Sequence, residues 1–187
     1  MTATTNGREP RGINWRLVGW GGAASLFALP AVAMRFTAEM NWDETDFVVW
    51  GAMLLVAGAL VELGARVKGG WFRAGVAAAT VTGFLLVWVN LAVGVIGSEN
   101  HDANLLFAGV LALVVGVGAA ARFRPAGMAA ATAAAAVAHL LVAGLAVAMR
   151  WGAETPNWPR DVIGGGVLFA GLWLVAALLF RRAARAR

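Results

Sequence analysis

AGMAAATAAAAVAHLLVAGLAVAM, residues 126–149, contains no Asp, Glu, Lys or Arg. A helix crosses a hydrocarbon core of about 30 Å with about 20 apolar residues, each rising about 1.5 Å. This stretch meets that length, and a soluble domain has little use for it. Five more mostly apolar segments of about that length lie around it, at 15–36, 47–66, 72–96, 104–122 and 162–180. The breaks between them carry turn residues and charge, as in Lys68-Gly69-Gly70, Arg124-Pro125 and Pro156-Asn157-Trp158-Pro159.

Composition agrees. Of 187 residues 60% are hydrophobic and 13% charged, and mean hydropathy is +0.74. Soluble domains carry roughly 25% charged residues. The pattern predicts an all-α integral membrane protein, a six-transmembrane-helix bundle forming a single transmembrane domain over residues 1–187. With no cysteine in the chain, disulfides, thiolate metal sites and cysteine nucleophiles are excluded. The net charge of +5 does not indicate a nucleic-acid partner, because the basic residues sit at the ends of apolar runs rather than in a patch. Abundant Ala and Gly, a single Lys and no Tyr point to a bacterial genome rich in G and C.

Charge distribution sets the expected orientation. Arg8, Arg11, Arg16, Arg66, Lys68, Arg73, Arg122, Arg124, Arg181, Arg182, Arg185 and Arg187 fall at the termini and the even-to-odd connections, against Arg35, Arg150 and Arg160 on the other side. By the positive-inside rule both termini face the cytoplasm of a bacterial inner membrane. Glu39, Asp43, Glu44, Asp46, Glu99, Asp102, Glu154 and Asp161 then form an acidic outer face. The first span, with basic residues before it and Ala31-Val32-Ala33 near its end, has the outline of a secretory signal. The same string closes the fifth span as Ala146-Val147-Ala148, so the first span is expected to be retained.

That recurrence belongs to a longer one. Pro30-Ala-Val-Ala-Met-Arg-Phe-Thr-Ala-Glu39 matches Leu145-Ala-Val-Ala-Met-Arg-Trp-Gly-Ala-Glu154, and each runs on to Asn-Trp and then an aspartate, Asp46 or Asp161. A weaker copy is Asn90-Leu-Ala-Val-Gly-Val-Ile-Gly-Ser-Glu99, with Val95 where the others carry Arg35 and Arg150. Among even spans, Phe47-Val-Val-Trp-Gly-Ala echoes Leu105-Leu-Phe-Ala-Gly-Val. The chain therefore reads as three helical hairpins in one orientation, an internal repeat of the parallel kind. Ala108, Ala112, Gly116 and Ala120 form a small-residue stripe on span four, and span five is nearly all alanine from 129 to 138. Close packing of spans four and five is expected.

Several residues are candidates for chemistry. Arg35/Glu39 and Arg150/Glu154, four apart, share a helix face if their helices extend that far; the arginines can grip a phosphate or carboxylate, or each pair can neutralise itself at a turn. Glu39, Glu99 and Glu154 share one repeat position and, with Asp43, Asp46, His101 and Asp102, can bind a cation, the carboxylates offering the oxygen ligands that suit a hard metal; no motif of a known metal loop is present, and a solvated acidic face is the plainer reading. His139 lies near the middle of span five, where ionisable groups are expensive and usually face an interior or cavity. It is a candidate axial haem ligand or proton-relay residue, or a packed histidine bonded across helices, for instance to Asn90. Glu62 and Arg66 read as a helix-surface ion pair. Gly164-Gly165-Gly166 can bind an anion at a helix N-terminus or allow close packing. The serines Ser25 and Ser98 lack a nucleophile motif, and neither a His-Glu-x-x-His site nor a phosphate-binding Gly loop occurs. An enzyme is not favoured.

The segments Met-Arg-Phe-Thr, Asn-Trp, Gly-Ser-Glu-Asn and Arg-Phe-Arg-Pro-Ala-Gly-Met resemble those of an uncharacterised family of small six-span bacterial inner-membrane proteins. The resemblance covers most of the chain and implies location without activity. Three functions follow in order: an accessory or structural subunit or a binder of lipid or another small hydrophobic molecule; a small transporter or channel running past His139 and Asn90 to an acidic outer mouth; and an electron-transfer protein holding haem or quinone at His139. Partners expected are the bilayer and a second membrane protein or another copy of the chain.

Overall fold

Asp43 opens the second helix with a reciprocal cap. Its Oδ1 accepts from Asp46 N at 3.0 Å, and Asp46 Oδ2 accepts from Asp43 N at 3.0 Å, so two amides that lack helical partners are satisfied together. Such end signals, with apolar runs between them, give an all-helical chain. A computed structural model describes residues 14–186. Its helices are α1 (Trp15–Ala33), α2 (Glu44–Ala65), α3 (Gly70–Ala92), α4 (Leu105–Ala120), α5 (Pro125–Ala148) and α6 (Arg160–Arg185), with a short 3-10 turn at Asp102–Asn104 before α4. Among the described residues there is no strand, and six helical segments are long and apolar enough to cross a membrane. Arg8, Arg11 and Arg187, three of the charges used for orientation, lie outside the described residues.

Two boundaries differ instructively from the sequence reading. The third apolar run extends to residue 96, yet α3 stops at Ala92. Gly94 and Gly97 take positive φ, +74° and +68°, and Val95 and Ile96 fold back as a buried turn, 5% and 0% exposed. Apolarity persists there while the helix does not. Likewise α1 and α5 end at Ala33 and Ala148, so Arg35, Glu39, Arg150 and Glu154 stand in turns and do not share helix faces.

The chain divides into two compact units, with the boundary between Gly58 and Ala59 inside α2. In the first unit α1 meets the start of α2 through rings: Phe27 lies edge-on to Phe47 at 6.0 Å, and Trp42 edge-on to Phe47 and Trp50 at 5.5 and 6.0 Å. In the second unit α5 packs against α4 and α6, and α6 also against α3, while α3 and α4 scarcely touch.

The core of the second unit pairs size with smallness. Ala131, Ala135, Ala136, Ala143 and Ala146 of α5 are buried, as are Phe107 of α4 and Phe169, Trp173 and Phe180 of α6. Rings set against alanines keep the interior dense, and dense contact is what joins helices when lipid is as apolar as the protein. The stripe Ala108, Ala112, Gly116 and Ala120 was the expected contact face of α4, but all four are exposed. The buried side is Phe107 and Val110 instead, larger side chains that share one buried cluster with the alanines of α5. Gly165 and Gly166 pack against Val95 and Ala143, where an added Cβ would stand 3.0 and 2.6 Å away; there the packing reading of the glycine run holds. Glu62 pairs with Arg66 at 3.6 Å, and the Arg182 guanidinium lies 5.0 Å over the Trp71 ring.

Candidate functional site: a cavity between α3 and α4

Because α3 and α4 lean on α5 and α6 rather than on each other, space opens between them. It forms a cavity of about 330 Å³, near the low end of the roughly 300–1,000 Å³ typical of ligand pockets. Its walls are apolar: Leu86, Val87 and Leu91 of α3, and Leu105, Phe107, Ala108 and Leu111 of α4. Asn90 sits on the α3 wall, and Glu99, Asn100, His101, Asp102 and Asn104 line it from the 93–104 connection.

The connection owes its shape to Asn104. Its Oδ1 accepts from Val95 N and Ile96 N at 3.1 and 3.0 Å, and its Nδ2 donates to Ile96 O and Ser98 O at 3.1 and 2.7 Å. One buried amide thus replaces the helix that would have satisfied those groups. His101 Nδ1 accepts from Ala103 N at 3.2 Å, which in the neutral ring leaves Nε2 as the donor. Asn100 Nδ2 donates to Glu99 Oε1 at 2.9 Å. Nearby, Gly97 and Gly152 hold positive φ, +68° and +77°, and bring the 93–104 and 149–159 connections together. A Cβ on Gly152 would stand 2.6 Å from Gly97 N, so only glycine fits. The His101 ring lies 6.4 Å from that of Trp151.

Asn90 is the polar group within the apolar part. Its Nδ2 donates to Leu86 O at 2.7 Å, and its Oδ1 is buried with no hydrogen-bond partner. A buried acceptor in that state costs roughly 1–3 kcal/mol, which a donor from a bound molecule recovers.

Of the residues singled out in the sequence, Asn90, Glu99, His101 and Asp102 therefore meet at one cavity. His139 does not join them. It is fully buried, stacked on Phe107 at 4.6 Å and tilted against Phe169 at 5.3 Å, and neither ring nitrogen has a partner. The expected bond to Asn90 is not made. Phe107 separates the two sites, lining the cavity while stacking on the imidazole. With no space exposed at either nitrogen, the surroundings of His139 do not fit an axial haem ligand, which needs a macrocycle's room beside one nitrogen.

Arg150 lies 5.2 Å over the Trp158 ring, a cation–π contact in place of the expected pairing with Glu154. Glu154 approaches Gly97, where an added Cβ would meet its Oε1 at 3.3 Å. Arg35 and Glu39 are exposed in the turn of the first unit, with no ion pair between them among the described residues. Among the described residues no three His, Asp or Glu side chains converge as a cation would require.

Sequence reasoning missed Asn104 and Phe107. An Asn at the start of an apolar run reads as an exposed helix cap, and a Phe within one reads as lipid-facing. Comparison with protein-family models, curated proteins and solved structures finds no match for the chain.

Proposed function

We propose that this membrane protein binds a small hydrophobic molecule in the cavity between α3 and α4. The observation that carries the reading is the unpartnered, buried Oδ1 of Asn90 in an otherwise apolar wall. Ligand sites are mostly apolar, with a few polar groups that orient the guest, and this cavity has that composition. His139, sealed behind Phe107, plays no part.

The test is retention. Wild-type protein, purified in mild detergent and extracted with organic solvent, is expected to release one hydrophobic species in near-stoichiometric amount by mass spectrometry. Leu111→Trp, which directs an indole into the cavity, should cut that yield about tenfold, as a lost 1.4 kcal/mol does. Equal yields from a folded variant, or no species from wild type, would sink the reading.

The same proposal places the protein in a bacterial inner membrane with both termini cytoplasmic, on the strength of the basic residues at one set of connections. It also takes the three hairpins as copies. In support, α1 and α5 end at matching positions, Ala33 and Ala148, and Gly97 and Gly152, seven residues into their copies, share a positive φ. Because the chain has no cysteine, single cysteines at residues 38 and 69 test orientation directly. A membrane-impermeant maleimide should label the first in intact cells and spare the second; the reverse labelling would invert the topology.

A further inference from the structure

Hairpin α1–α2 solves a problem that Pro30 creates. Proline has no N–H, so the carbonyl four residues earlier, Leu26 O, loses its helical donor. Trp50 of α2 supplies the replacement: its Nε1 donates to Leu26 O at 3.0 Å, and the indole is buried at 8% exposure. The next residue, Gly51, lets the Phe27 ring come close, 3.1 Å from where a Cβ would stand.

Aligning Pro30 with Asn90 and Phe47 with Leu105 places Leu26 on Leu86, Trp50 on Ala108 and Gly51 on Gly109. Leu86, Asn90 and Ala108 all line the cavity. In α3–α4 the side chain of Asn90 itself donates to the matching carbonyl, Leu86 O, and Ala108 offers only a methyl group where the other hairpin has an indole. Gly109 has nothing within 4 Å of a built Cβ, in contrast with Gly51. The α3–α4 hairpin therefore has open space at the positions that answer to Trp50 and Gly51, where the other hairpin has a ring.

We propose that the cavity is the counterpart of the Trp50 site and receives a flat aromatic molecule carrying an N–H or O–H donor, which Asn90 Oδ1 accepts. This rests on the ligand-binding reading above and gives it a chemical class. A ring of indole size suits the apolar walls, and its donor satisfies an oxygen that is otherwise buried unpartnered.

Indole is the probe and naphthalene, a flat bicycle with no donor, its control. Both are titrated calorimetrically into the full chain in lipid nanodiscs. Indole is expected to bind about tenfold tighter than naphthalene, the worth of one hydrogen bond. Asn90→Leu should bring the two to equal affinity. Ala108→Trp should abolish indole binding and raise the thermal midpoint, because the chain then carries its own ring. Ala108→Phe serves as a less bulky second variant and should also block the site. Equal binding of indole and naphthalene by wild type, or unaltered indole binding in a folded Ala108 variant, would overturn the proposal. If wild type ignores both rings yet releases a hydrophobic species that Ala108→Phe loses, the aromatic class fails and the ligand-binding reading survives. If wild type neither binds a ring nor releases any species, both fall.

Discussion

The hairpins α1–α2 and α3–α4 close in different ways. The first is joined by aromatic side chains, with Trp50 bonded to Leu26 O and Trp42, Phe47 and Phe27 in edge-on contact. The second is held at its turn by one amide, Asn104, and stays apart along its helices, where Leu86, Asn90 and Ala108 face a cavity. Helices in lipid gain little from hiding apolar surface, so contact must come from shape and hydrogen bonds. Where a ring fills the gap the pair closes. Where alanine stands, the gap is kept, because α5 and α6 support α3 and α4 from the other side.

Substitutions can break this contrast. Asn104→Ala should have the largest effect, about 4 kcal/mol, because it strands the buried amides of Val95 and Ile96 at roughly 1–3 kcal/mol each and loses two further bonds. A fall in thermal midpoint and faster proteolysis of the 93–104 connection would register it, whereas a midpoint equal to wild type would refute the role assigned to Asn104. Trp50→Ala should cost about 3 kcal/mol through lost ring packing, measured by steric trapping in bicelles. Trp50→Phe should cost about 1 kcal/mol, since it removes chiefly one interhelical hydrogen bond. On a Pro30→Ala background that cost should shrink, because the substituted residue brings back the backbone N–H that Leu26 O lacks; an unchanged cost would separate Trp50 from Pro30.

Asp43→Ala removes one half of the reciprocal cap of α2 and should cost about 1 kcal/mol. His139→Leu should leave stability unchanged or raise it by about 1 kcal/mol, since it removes two buried nitrogens that have no partner. It should also leave indole affinity as in wild type, because Phe107 stands between His139 and the cavity. A large loss of either would return His139 to the site.

Part of the site could be read from residue order. Glu99, His101 and Asp102 stood out as members of the acidic outer set, and Asn90 as a polar residue within a span; the structure places all four around one cavity. His139 stood out for the same reason and lies elsewhere, since rarity does not tell whether a residue faces a cavity or a ring. Arg150 and Glu154 were paired by helical spacing, but α5 ends at Ala148 and Trp158 takes the guanidinium. The small stripe on α4 was assigned to the wrong side for a related reason: spacing identifies a face, and the neighbour's shape decides whether it is used.

Length and apolarity alone determined six helices able to cross a membrane, because hydrocarbon thickness sets a residue count and unsatisfied backbone groups cannot remain in lipid. Charged and turn-forming residues marked the breaks, and the spacing of Glu62 and Arg66 gave their ion pair. Only the tertiary structure decided which face of each helix turns inward. In a soluble protein, water sorts polar faces from apolar ones and leaves a periodic trace in the sequence. In a membrane both sides of a helix meet apolar surroundings, so the choice falls to the fit of rings against alanines, and that fit leaves the cavity between α3 and α4.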